Sequence, residues 1–238
     1  MRRRSLLENT ENGKLIEDGL LFWFDGFYGA TTSGSTWNPR KVVSSISTLT
    51  FTKSSGSYDG TKWILGASAF LLSNINPFKD CGDNAMTIIV CYSNLSKTED
   101  DYLFGTSQYG NSPRRMGLCL VRSADMGLYI WDAYNQESAG LISTSVTENY
   151  GVISMRTDAN GTLLNNNSKS GSYSKKHSIT DNTNYRFILG GYKGDLYDGP
   201  VCPQTLNIHS LVAYNRVLSN DELSVVMKFL SRRYDVEW

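Results

Sequence analysis

The 238-residue chain has little proline, little histidine and no excess of either charge. Five prolines stand against 21 glycines, and only His177 and His209 are present. Lys and Arg total 23, as do Asp and Glu. A chain of zero formal charge has no global field to draw nucleic acid or an acidic membrane surface, so neither is expected as a partner. The cysteines Cys81, Cys91, Cys119 and Cys202 show no CxxC spacing, and two histidines cannot complete a zinc set at familiar intervals. Cys91 in TIIVCYS and Cys119 in GLCLV lie in apolar runs, where a free thiol packs as a small hydrophobe. The start, MRRRSLLENTENG, lacks an apolar run of the length a signal peptide or membrane span requires, so synthesis in a cytoplasm without membrane insertion is expected.

Many glycines, serines, threonines and asparagines favour short strands and tight turns, because Gly and Asn accept positive φ. Eleven strand candidates follow one another: GLLFWFDG (19–26), VVSSISTLTFT, KWILGASAFLL, AMTIIVCYSNL, DYLFGTS, MGLCLVRS, GLYIWDAY, GVISMRTD, TLLNNNS, NYRFILGGY and LNIHSLVAY. Turn markers such as YDGT, SADMG, DANGT and GDLYDGP separate them. Asn160 and Gly161 read as the two-residue turn of a hairpin. No fixed-period repeat is present, which argues against propellers and solenoids. The length suits one domain. The expectation is an all-β, two-sheet antiparallel jelly-roll sandwich over residues 19–238, preceded by a charged arm, residues 1–18. Arg2, Arg3 and Arg4 in that arm are candidates for docking on an acidic surface.

The helix signals are confined to the end, in LSNDELSVVMKFLSRRY. Ser219 is placed as N-cap and Glu222 three residues on completes a capping box, with Leu218 and Leu223 as the hydrophobic staple. Asp221 and Glu222 suit the N-terminal end of the helix dipole, and Lys228, Arg232 and Arg233 the C-terminal end. Leu223, Val226, Met227, Leu230 and Tyr234 fall on one face, so this short C-terminal capping helix should lie against the sandwich.

A last strand running into Tyr214, Asn215 and Arg216, then Leu218, Ser219 and an acidic pair opening a helix, resembles the closing signature of laminin-G-like domains of the concanavalin A-like lectin/glucanase superfamily. GLLFWFDG resembles the first strand of that family, AMTIIVCYS its central strand, and RFILGGY the glycine-bounded strand before the closing loop. The superfamily holds glucanases, lectins and interaction modules, so the fold leaves the function open. Its glucanases carry E-x-D-x-x-E on one strand, which sets carboxylates on one sheet face. No strand here has it, TEDDY (98–102) reads as a solvated loop, and neither histidine lies in a nucleophile motif. The expectation is a protein that is not an enzyme.

In GLYIWDAY, Tyr129 and Trp131 alternate with Leu128 and Ile130, so one pair enters the core and the other faces outward. Tyr129 and Trp131 are candidates to stack on sugar rings, with Asp132, Tyr134 and Asn135 as hydrogen-bonding neighbours. The same pattern serves equally as sandwich filling or a subunit contact. No cofactor is expected; calcium occurs in the family, and Asp195 and Asp198 in KGDLYDG are the candidate donors. A basic arm followed by a lectin-like jelly roll is similar to virion surface proteins of tailed bacteriophages. That similarity implies synthesis in the host cytoplasm, display on the virion surface, attachment to other virion proteins through the arm, and homo-oligomerisation. The leading expectation is therefore a non-catalytic structural or adhesion protein of the virion; a carbohydrate-binding module reading a host surface polysaccharide through Tyr129, Trp131 and their polar neighbours is the alternative, and a glucanase-like hydrolase the remaining one.

Overall fold

A computed structural model of the chain describes residues 15–79, 81, 85–96, 102–107, 116–119, 128–132, 137–142, 149–166, 169–173, 186–191 and 205–237. Seventeen strands in two antiparallel sheets and one C-terminal helix, α1 (Asn220–Tyr234), make up the described structure. The all-β sandwich with a capping helix is therefore as the sequence indicates.

The first sheet runs in the order β15 (Lys169–Tyr173), β14 (Gly161–Asn166), β13 (Gly151–Asp158), β8 (Met86–Ser93), β17 (Thr205–Tyr214), β1 (Leu20–Asp25), β3 (Lys41–Val42). Two short strands, β5 (Ser57–Tyr58) and β6 (Trp63–Gly66), join it through β17. The second sheet runs β12 (Glu137–Ile142), β11 (Leu128–Asp132), β10 (Met116–Cys119), β9 (Tyr102–Ser107), β16 (Arg186–Leu189), β7 (Leu71–Ser73), β4 (Phe51–Lys53), β2 (Thr36–Trp37).

Between the sheets lies an aromatic core. Phe22 from β1 meets Phe78, and Phe24 meets Trp37 and Phe51, the last edge to face at 4.9 Å; Phe187 of β16 packs in turn on Phe51 and Phe78. The outer face of the first sheet is covered too. Leu20, Trp23, Ile89, Cys91, Val152, Val212 and Tyr214 point the other way and are sealed by Leu223, Val226, Met227, Phe229, Leu230 and Tyr234 of α1. A sheet buried on both faces needs apolar residues at successive positions rather than alternate ones. That is why LLFWF, TIIVC and LVAY carry no polar alternation.

Helix α1 begins as its sequence dictates. The Ser219 side chain accepts from the Glu222 amide, and the Glu222 carboxylate accepts from the Ser219 amide at 2.8 Å. Leu218 and Leu223 are both buried, as the staple requires. The helix ends where Asp235 turns left-handed at φ 54. Arg233 does more than favour the dipole: it reaches Asp25 at 2.6 Å. Of residues 1–18, residues 15–18 are described; Leu15 is buried beneath the helix, and Asp18 pairs with Arg216 at 3.0 Å.

Three local readings change. VVSSISTLTFT is two strands, β3 and β4, parted by a 3-10 turn at Ser44–Ile46. KWILGASAFLL is also two, β6 and β7, in different sheets, because Ser68 adopts φ 65 and breaks the extension. The hairpin turn falls one residue earlier than its Asn-Gly pair suggests: Asp158 pairs with Gly161, leaving Ala159 and Asn160 at the tip. An Asp158 carboxylate oxygen accepts from the Asn160 amide at 2.7 Å, and that bond fixes the position. Strands β2, β5, β12 and β15 have no candidate in the sequence; the first two are only two residues long, and ESAGLI and KSGSY are too polar and glycine-rich to read as strands.

Candidate functional site

Strand β13 directs its side chains strictly by parity. Ile153 and Met155 enter the core between the sheets, whereas Val152 lies on the helix side. Ser154 and Arg156 share the parity of Val152 and so sit on that outer face as well. Register carries the rows outward: Arg156 stands opposite Leu163, which stands opposite Ser172, and Ser154 opposite Asn165, which stands opposite Ser170. Helix α1 lies over β8 and β13 and stops short of β14 and β15. An open cleft of about 540 Å³ results, floored by Arg156 and Asn165, walled by Asn220, Leu223, Ser224 and Met227 of α1, and rimmed by Leu163, Ser170 and Ser172.

The electrostatics centre on Arg156, which is only 5% exposed. Nη1 donates to the Leu218 carbonyl at 2.9 Å and to Asn220 Oδ1 at 2.8 Å, and Nη2 donates to Asn165 Oδ1 at 3.2 Å. Nε is buried with no partner, as is the Ser154 hydroxyl one row away. All three acceptors are neutral, so this buried cation has no counter-ion among the described residues. Burial pulls the guanidinium below its ordinary range, with no neighbouring charge offsetting it. Buried arginines are normally paired with an anion. The nearby acids of the first helical turn do not supply one: Glu222 is held by Arg216 at 2.7 Å, and Asp221 does not line the cleft. Apolar contact at the rim comes from Leu163, 41% exposed.

A second polar cluster has a different character. Asp25, fully buried at the end of β1, accepts from Phe27 N, Arg40 Nη1, Arg233 Nη2 and the Tyr234 hydroxyl at 2.6–3.0 Å. Burial raises its pKa, but the charge and hydrogen bond of Arg233, with the Phe27 amide and Tyr234 hydroxyl, outweigh it and leave the carboxyl below its ordinary value. Every oxygen is used within the fold, so Asp25 clamps the helix to β1. The nearby His209 is the extra residue of a bulge in the β17–β8 ladder. Its Nε2 lies 2.8 Å from Ser93 Oγ, and burial lowers it to about 4, leaving the ring neutral at physiological pH. Among the described residues no carboxylate bonds the imidazole, and Ser93 also accepts from Asn207 Nδ2. Among the described residues the pair has no orienting acid of the kind a hydrolytic triad uses.

Tyr129, Trp131 and Asp132 lie in β11. Trp131 pairs in register with Gly117 of β10, which pairs with Gly105 of β9, so the row beside position 131 is glycine for two strands. Position 130 falls in the alternate row, with Leu118 and Phe104. Tyr134, Asn135, Asp195, Asp198, Arg2, Arg3, Arg4 and the acids of TEDDY before Tyr102 lie outside the described residues. Among the described residues no group of three or more His, Cys, Asp and Glu side chains is placed to hold a metal, and no helix is long and apolar enough to cross a membrane. Arg156 and the cleft above it are not among the candidates the sequence offers. Its one legible signal is a lone cation inside GVISMRTD on the parity of Val152 and Ser154.

No family model matches this chain, and no curated protein sequence matches it. Solved structures do. Trypanosoma rangeli sialidase in complex with sialic acid matches 90% of this chain at 12% identity with a TM-score of 0.62, yet the chain spans only 33% of the sialidase. Domain 4 of AbnA, an extracellular arabinanase from Geobacillus stearothermophilus, in complex with arabinotriose, matches 89% of this chain and 100% of its own length, at 12% identity and a TM-score of 0.62. The receptor-binding domain of a botulinum neurotoxin C/D mosaic serotype matches 90% of this chain and 52% of its own, at 13% identity and a TM-score of 0.58. At such identities these likenesses show the fold, a β-sandwich.

Proposed function

We propose that this chain is a non-catalytic, lectin-like module that binds carbohydrate. The observation that carries the reading is the cleft beside α1: open, lined by the amides of Asn165 and Asn220, the hydroxyls of Ser170, Ser172 and Ser224, the Arg156 guanidinium and the apolar Leu163, Leu223 and Met227, and without a facing pair of carboxylates among its lining residues. Sugars are bound by such arrangements of hydrogen-bonding groups beside a small apolar surface. Support comes also from the end-to-end likeness to a domain solved in complex with arabinotriose. Tyr129 and Trp131, two positions apart on β11 in the other sheet, are the second candidate glycan surface, with Asp132, Tyr134 and Asn135 beside them.

The finer reading rests on the sequence. The arginine-rich arm and the laminin-G-like closing motif favour a concanavalin A-like domain displayed on a tailed-phage virion as a head fibre, capsid decoration or tail appendage. Arg2, Arg3 and Arg4 then attach the arm to other virion proteins, the chain forms a homo-oligomer, and a host polysaccharide is the external ligand. Asp195 and Asp198 are the donors if calcium enters.

A glycan array run with wild type and Trp131→Ala tests binding and its location together. Carbohydrate binding requires hits with the wild type; silence across the array rejects the reading. Loss of hits in the variant assigns them to β11, and their retention assigns them elsewhere. Native mass spectrometry tests assembly: a clean monomer with no affinity for virion components contradicts the virion reading.

A further inference from the structure

We infer that the cleft between α1 and strands β13–β15 recognises the carboxylate of an acidic sugar, a uronic-acid-type unit, through Arg156. The inference rests on the carbohydrate-binding reading and specifies its ligand class. Arg156 has five N–H donors, and three bonds to neutral oxygens of Leu218, Asn220 and Asn165 account for only part of them. What remains is a full positive charge, 95% removed from solvent by its 5% exposure, on the floor of an open cleft. Its Nε–H has no partner, and its Nη2 makes one bond where it can make two.

A carboxylate supplies what the site lacks. The second Nη2 N–H can donate to a carboxylate oxygen entering the cleft, and a charge-assisted bond in a half-buried cleft is stronger than a neutral one. A single cation balances a monoanion, whereas a phosphate dianion would carry excess negative charge into a cleft with no second cation among its lining residues. The remaining lining is suited to the rest of a sugar. Ser170, Ser172 and Ser224 offer hydroxyls, and Leu163, exposed at the rim, offers an apolar patch for ring C–H groups.

The test uses the full chain against matched glycans, uronate-bearing oligosaccharides and their carboxyl-reduced counterparts, with free glucuronate, sulfate and inorganic phosphate as competitors. The diagnostic variant is Asn165→Asp, which puts a fixed carboxylate on Arg156 Nη2. It should raise the melting temperature, because the buried cation gains its counter-ion, and should weaken the acidic glycans by about tenfold or more, the loss of a charge-assisted bond. Leu163→Glu, at an exposed rim position, should repel the same glycans without loss of stability. Competition by glucuronate alone supports the assignment. Equal binding of acidic and carboxyl-reduced glycans, competition by phosphate or sulfate as strong as by glucuronate, or undiminished acidic binding in Asn165→Asp overturns it while leaving carbohydrate binding standing. Silence toward every glycan brings down both readings at once.

Discussion

Replacing Asp25 with asparagine should cost this fold more than any other isosteric change on the helix side of the first sheet. The carboxylate is fully buried and bonded by Arg40 at 2.8 Å, Arg233 at 2.6 Å and Tyr234 at 2.8 Å. Asparagine keeps the shape but removes the charge and turns one acceptor into a donor facing other donors. Arg233, 12% exposed, would then be left without its anion, although its contact with the Trp23 ring at 5.3 Å survives. Breaking a buried pair by removing one partner costs about 3–5 kcal/mol, a large part of the roughly 5–15 kcal/mol that holds a domain together. Urea unfolding of wild type, Asp25→Asn, Arg233→Met and the double variant measures it, and the double variant should be less destabilised than the sum by about 0.5–3 kcal/mol. The pH dependence follows the same group. Its folded pKa is depressed, so its contribution is complete above the ordinary value of 3.8 and is lost as pH falls from there through the folded value. Asp25→Asn should flatten that acid limb. A cost under about 1 kcal/mol, against the 3–5 expected for a buried pair, would refute the clamp.

Three further outcomes concern the helix. Leu230→Ala should cost about 2–5 kcal/mol in unfolding, since its fully buried side chain seals the outer core and the gap cannot close against a sheet packed on both faces. Ser219→Ala should cost about 1 kcal/mol by removing the cap. The bonds from Arg216, with the Ser219 amide, hold Glu222 down to about 2, so the capping box is intact above pH 4.5 and weakens as pH falls toward 2; acid titration of Glu222 by carbon-13 NMR reads this directly.

The helix was legible because its determinants are local. Cap, staple and apolar face lie within seventeen residues, from Leu218 to Tyr234, and each is read from spacing alone. The strand content was legible for the same reason wherever the run was long and apolar, as in MTIIVCYS. What escaped was set by pairing. Asp25 reads as the start of a turn after LLFWF, yet the helix brings Arg233 and Tyr234 from more than 200 residues away to bury it. Arg156 reads as an ordinary polar residue in GVISMRTD, and its isolation appears only once β14 supplies Asn165, the segment before the cap supplies the Leu218 carbonyl and the first residue of α1 supplies Asn220. The Ser93–His209 contact depends on a bulge that no strand pattern reveals. Position 131 is a strand position in the sequence and in the structure, while the glycine row beside it depends on the register of β10 and β9.

The helix also gains a role that its sequence did not suggest. Its apolar face closes the sandwich, but Asn220 and Ser224, at its N-terminal end, wall the cleft above Arg156. One element therefore covers the sheet and shapes the opening at its side.

Incubating the purified chain with its best array glycan, and following both retention and reducing-sugar release, separates binding of carbohydrate from its cleavage. Saturable binding with the glycan recovered intact is the expected result. Release of reducing ends above a protein-free control, or no saturable binding to any glycan, would contradict it.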